Sequence, residues 1–169
     1  MAEKSPMTVK GHQRLHEELR RLKTVDRIQA AKAIEVARAH GDLSENAEYD
    51  AAKNAQGLLE ARIRDLESKL ATAQVIDIST LSGTKVVFGA TATVVDLTTD
   101  ETRRLSIVGE EEADAERGLI SFKSPLARAL IGKSAGDEVV VKLPSGEKDY
   151  EIVEVEFVEI ELFVGKSAS

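Results

Sequence analysis

Cysteine is absent from the 169-residue chain, which excludes disulfides, thiolate metal sites and thiol nucleophiles. That absence suits a reducing compartment, and a cytoplasmic location is expected. Tryptophan is absent too, and 4 Phe and 2 Tyr are all the aromatics there are. That is too few for a platform that stacks the bases of single-stranded nucleic acid. No apolar run approaches the ~18 residues of a membrane span, and Met1–Met7 has no hydrophobic stretch of the kind that opens a secretory signal. Positive charge is in deficit: 23 Lys and Arg face 30 Asp and Glu, a net charge of −7. A protein that coats DNA needs the opposite balance.

What is present divides in two. Residues 1–77 hold 13 acids and 13 bases, and residues 78–169 hold 17 acids and 10 bases. Texture changes at the same point, from Ala and Leu to Val, Ile, Thr and Gly. The expected organisation is a helical domain over 1–77, a turn-rich link over 78–84 (Ser79-Thr80-Leu81-Ser82-Gly83-Thr84) and a globular domain over 85–169.

The first half reads as an antiparallel two-helix coiled-coil hairpin. Thr8 is placed to cap the first helix, with Met7 as a hydrophobic staple. Leu15, Leu19 and Leu22 follow the a/d rhythm. The rhythm slips near Thr24–Arg27 and is expected to resume with Ile28, Ala31, Ile34 and Ala37, before Gly41 ends the helix. On the second helix Ala52, Gln56, Leu59, Ile63, Leu66, Leu70 and Ala73 alternate spacings of 4 and 3. Alanines crowd the ends near the turn and leucines the far ends, so the hairpin should be slender at its tip. It can satisfy its own seam, and a monomer is expected. A purely structural coiled coil fits this pattern equally well.

Between the helices lies Ala39-His40-Gly41-Asp42-Leu43-Ser44-Glu45-Asn46-Ala47-Glu48-Tyr49-Asp50. Asp42 and Glu45 have capping-box spacing, and acids near a helix start favour its positive end. Alternatively the two carboxylates bind a divalent cation. Two hard oxygen ligands are too few to hold Mg²⁺ alone, so such a pair works only against a partner that supplies the rest. Arg38 and Lys53 flank the tip, either as ordinary solvated helix charges or as a small basic patch for a phosphate chain. No Ser/His/Asp arrangement, phosphate loop or His-x-x-His pair occurs, so the chain holds no self-contained active site.

The second half reads as an α+β domain: an antiparallel sheet with one short helix. Strands are expected at 86–88, 90–97, 103–108, 138–143 and 148–157. Turns are expected at 98–101 and 144–147, and a helix capped by Ser124 at 124–132. The acidic run 110–116 is expected as a solvated loop or helical turn. No function attaches to Val158–Ser169.

In order and residues the chain resembles the bacterial transcript-cleavage (Gre) elongation factors. The stretches that carry the likeness are Ala37-Arg38-x-His40-Gly41-Asp42-Leu43-x-Glu45-Asn46-Ala47-Glu48-Tyr49, Gln74-Val75-Ile76-Asp77, Phe88-Gly89-Ala90-Thr91, Ile107-Val108-Gly109 and Ser124-Pro125-x-Ala127-Arg128-x-Leu130-Ile131-Gly132-Lys133. The resemblance implies an FKBP-like C-terminal domain that docks on bacterial RNA polymerase and a hairpin that enters the secondary channel. It further implies that Asp42 and Glu45 complete a Mg²⁺ site shared with the polymerase, so that backtracked RNA is cut near its 3′ end by the polymerase's own nuclease activity. On this reading Arg38 and Lys53 contact the RNA, and the neutral hairpin suits the narrower of the family's two types of basic patch. The chain is then no enzyme by itself. Alternatives are a channel-binding inhibitor without cleavage, a prolyl isomerase and a coiled-coil adaptor.

Overall fold

The computed structural model describes residues 4–40 and 43–162, the side chains at 40 and 43–46 excepted. It falls into two compact units: His12–Ala73, and Lys4–Gly11 together with the chain from Gln74 onward. Lys4–Gly11 join the second unit because β1 (Ser5–Thr8) pairs with β2 (Ala73–Ile76).

In the first unit the chain runs helically through α1 (Val9–Arg21), one π-helical turn (Leu22–Asp26) and α2 (Arg27–His40), then returns as α3 (Leu43–Ala71). The seam is apolar. Leu15, Leu22, Ile34, Ala37, Ile63 and Leu66 are buried, and Leu19, Leu59 and Leu70 are half-buried beside them. Six of the seven positions named for the second helix, Ala52 to Leu70, are buried or half-buried on α3, as the heptad spacing requires; the seventh, Ala73, lies beyond the helix end and opens β2. The first helix differs from expectation at one place. The Arg27 N–H donates to the Leu22 carbonyl, a π-type bond that fits an additional residue into the turn. The seam beyond it runs through Arg27, Ala30, Ile34 and Ala37, so Ile34 and Ala37 fall where expected and the two positions before them do not. Ile28 is 66% exposed and Ala31 is exposed, while Arg27 and Ala30 are half-buried instead.

Ion pairs flank the seam. Lys23 meets Glu67 at 2.8 Å and Arg62 meets Glu18 at 3.0 Å. Arg27 grips Glu60 with two hydrogen bonds, of 2.9 and 2.7 Å, the planar fork geometry that suits a carboxylate. The Arg27 hydrogen bond holds the Glu60 carboxyl below its ordinary value, against some desolvation, and the same bond raises Arg27.

The second unit is built on a five-stranded sheet in the order β5-β4-β3-β7-β6. The strands are β3 (Thr91–Asp96), β4 (Thr102–Val108), β5 (Leu119–Ser121), β6 (Glu138–Leu143) and β7 (Gly146–Glu156). Its main core joins Val94, Leu105, Ile107, Val141, Ile152 and Tyr150 to Ala127 and Leu130 of the helix α4 (Pro125–Leu130). Ser124 caps that helix by accepting the Ala127 N–H at 3.2 Å, Pro125 occupies its first turn, and Gly132 follows at φ +90°, a conformation glycine adopts without strain. Between Thr93 and Val94 the β3–β7 register skips Val153. This bulge leaves Val153 exposed and turns Ile152 and Val155 towards the same core, so strict alternation fails there.

Three expectations need correction. The sheet is mixed, because β5 runs parallel to β4. Residues 86–88 form no strand: Val86 is held instead by its N–H to the Lys133 carbonyl (2.7 Å) and by the Gly132 N–H to its own carbonyl (2.8 Å). The acidic run forms two short 3-10 turns, Glu110–Glu112 and Ala115–Arg117, but Glu112 points inward and is buried. The segment after Phe157 also packs, with Ile160 buried against Val108 and Leu119.

Two predictions test the hairpin. Ile34→Ala should cost about 2–4 kcal/mol through the cavity it leaves, and Ile28→Ala less than about 0.5 kcal/mol; urea titrations of both variants measure the difference. Because the Glu60 carboxyl lies below its ordinary value in the folded protein, its contribution is present above the unfolded value of 4.5 and is lost as pH falls through the folded one. Wild type should therefore melt higher than Glu60→Gln at pH 7, with the gap closing as the pH drops below about 4.5 in paired melting curves.

Candidate hairpin-tip site

α2 ends at His40 and α3 begins at Leu43, so Asp42 separates the helices in sequence and Glu45 belongs to the first turn of α3. Asp42 and the Glu45 side chain lie outside the described residues. Among the described residues no three His, Cys, Asp or Glu gather where they could hold a metal ion. Asp42 and Glu45 offer only hard carboxylate oxygens, the donor chemistry Mg²⁺ takes, but two of them leave most of its octahedron open. The donor set therefore fits that ion as part of a shared shell.

Arg38 and Lys53, the expected basic patch, are both exposed, one on α2 and one on α3. The Arg38 guanidinium stacks over the Tyr49 ring, 5.9 Å from its centroid, within the range of a cation–π contact. Tyr49 is half-buried, so the ring gives the arginine a fixed platform. Among the described residues neither Arg38 nor Lys53 has an ion-pair partner, and no hydrogen bond joins them. Lys23, Arg27, Arg62 and Lys69 nearer the base are each paired with carboxylates of the same hairpin. Charge near the base is thus neutralised internally.

Two features at this end escaped the sequence reading. Tyr49 lies in the tip stretch, but its role depends on a contact across the helices that spacing along one helix does not encode. A shallow apolar groove lined by Lys32, Ala33, Val36, Ala37, Glu48 and Ala52 also lies beside the tip. The alanines that narrow this end of the hairpin were the available signal for it.

Known proteins place this architecture. Residues 5–75 match the family model described as transcription elongation factor, N-terminal, and residues 81–157 match that for the GreA/GreB C-terminal region. The chain belongs to the GreA/GreB family of transcription elongation factors. It is 54% identical to the transcription elongation factor GreA of Xylella fastidiosa, over 92% of this chain and 99% of that one. It is 58% identical to GreA of Caulobacter sp. strain K31, with the same coverage. Among solved structures, GreA factor homolog 1 of Thermus thermophilus aligns over 91% of this chain and 99% of its own, at 25% identity and a TM-score of 0.42. Among the described residues no helix is long and apolar enough to cross a membrane. Like its relatives, the chain is a transcription elongation factor.

The contact between Arg38 and Tyr49 makes a local prediction. Tyr49→Leu should lower hairpin stability by about 0.5–1 kcal/mol more in wild type than in an Arg38→Ala background, measured as a double-mutant cycle by thermal unfolding.

Proposed function

We propose that this elongation factor stimulates Mg²⁺-dependent cleavage of backtracked RNA by bacterial RNA polymerase. The second unit docks on the polymerase, and the hairpin carries Asp42 and Glu45 through the secondary channel to the catalytic centre. One observation carries the reading. The stretch from Ala37 to Tyr49, with its two acids three residues apart, falls at the reversal of a self-sufficient helical hairpin in a chain that matches the GreA/GreB family in both halves.

The roles follow from donor chemistry. Asp42 and Glu45 supply carboxylate oxygens, and the polymerase supplies the remaining ligands. When bound there, a divalent cation lends Lewis acidity to the water that attacks the RNA phosphodiester. Arg38, braced by Tyr49, and Lys53 hold the phosphates of the displaced RNA by charge. The hairpin itself excludes bulk water from the channel it fills, which strengthens these interactions. On this reading the nuclease activity is the polymerase's own.

A stalled-complex assay tests this. Wild type should shorten the RNA from its 3′ end only when Mg²⁺ is present. Asp42→Asn or Glu45→Gln should reduce that activity about 100-fold or more, the scale on which losing a metal-ligating or charge-stabilising group acts, with polymerase binding retained. A wild-type protein that binds and slows the polymerase without cleavage would establish the inhibitor reading instead. Replacing Arg38 and Lys53 by Ala should weaken cleavage, with a smaller dependence of activity on salt than wild type shows.

A further inference from the structure

We infer that Glu112, far in sequence from the tip, is a positioning residue that locks the root of the hairpin's first helix. The inference rests on the reading that the hairpin tip acts on the polymerase. Glu112 is 4% exposed. Its carboxylate accepts from three donors: the Gly109 N–H at 2.7 Å, the Thr8 N–H, shared between both oxygens at 3.0 and 3.3 Å, and the Thr8 hydroxyl. The Thr8 hydroxyl oxygen in turn accepts the Gly11 N–H at 3.0 Å. Thr8 is therefore the N-cap of α1, and Glu112 orients the cap. A buried carboxylate is stable only when its oxygens are satisfied, and these donors satisfy it. The negative charge also lies at the positive end of a 13-residue helix, a favourable placement.

Two glycines show that the space is shaped for this side chain. A Cβ on Gly11 would stand 1.8 Å from Glu112 Oε2, and a Cβ on Gly109 would stand 2.7 Å from the Pro6 carbonyl oxygen and 2.9 Å from Glu112 Oε1. No side chain fits at either position while Glu112 occupies its site. The joint thus comprises Pro6, Thr8, Gly11, Gly109 and Glu112, all within the second unit. From it α1 continues into the first unit as uninterrupted helix. Factor whose helix root is free to fray would bind polymerase and still deliver its tip carboxylates less often. A tip that contributes only part of a ligand shell gains most from such fixing, because catalysis falls steeply with misplacement of about 1 Å.

The test combines exchange and kinetics on the full-length chain. In Glu112→Ala and in Thr8→Val, hydrogen exchange at residues 5–11 should accelerate about tenfold or more in the free protein. Cleavage at saturating factor should fall severalfold, with the half-saturating concentration little changed. Thr8→Ser keeps the hydroxyl and should restore both. Gly11→Ala should reproduce the Glu112→Ala effect, yet add little to it in the double variant, because the clash partner is gone. A residue that merely stabilises the fold would lower the amount of active protein and leave the saturating rate per bound factor unchanged. If Glu112→Ala does not express as folded protein, the Thr8→Val and Thr8→Ser pair decides. Wild-type exchange and wild-type saturating cleavage in Thr8→Val would overturn the inference, as would Gly11→Ala being equally harmful with and without Glu112. Absence of cleavage by the wild type itself would instead count against the proposed function, and the exchange results would still judge the lock.

Discussion

Two helices standing as a pair have no interior except the strip along which they face each other. That constraint governs the first unit. Leu15, Leu22, Ile34, Ile63 and Leu66 fill the strip, and each apolar side chain so buried contributes about 1.5–3 kcal/mol. The seam also consumes the positions at which a larger protein would assemble a catalytic cluster. What remains for chemistry is the outer surface and the reversal between the helices. The internal ion pairs of Arg27, Lys23 and Arg62 add little stability individually, but they neutralise the flanks.

The same constraint explains a tip that is chemically incomplete. Two carboxylates by themselves cannot form an octahedral shell. On the proposed function another protein provides the walls and the missing ligands. The proposed function divides the labour between the units: the sheet domain would provide surface for docking, and the hairpin reach. The carboxylate of Glu112, inserted between Gly109 and the first turn of α1, joins the two tasks at the root.

Much of this was legible in the residues, and the failures have local causes. The second helix follows heptad spacing from Ala52 to Leu70 because nothing interrupts its seam. The first helix announced its irregularity as a slipped rhythm near Thr24–Arg27, but a pattern of hydrophobicity does not say whether a slip adds or removes a residue. The π turn adds one, which carries the seam from Leu22 to Arg27 and Ala30 and leaves Ile28 exposed beside it. Strands β1, β2 and β5, of three or four residues, are too short to display a period, and they form because a neighbouring strand offers unpaired backbone. Glu112 was hidden among acids that look solvent-facing. Its burial is settled by donors from Thr8, 104 residues away in sequence. The tip stretch was legible through family resemblance, whereas the bracing of Arg38 by Tyr49 required the fold.

The most direct measurement exploits the absence of cysteine. A single cysteine replacing Ser44 accepts a photo-crosslinker at one defined place, next to Glu45. In a stalled, backtracked polymerase complex this probe should crosslink to the catalytic subunit around the aspartates that hold the polymerase's own metal, or to the RNA 3′ end. A probe at the exposed Leu58 position should not reach them. Crosslinks from position 44 that fall only on the polymerase exterior, in a complex that is actively being cleaved, would contradict the claim that the tip acts at the catalytic centre.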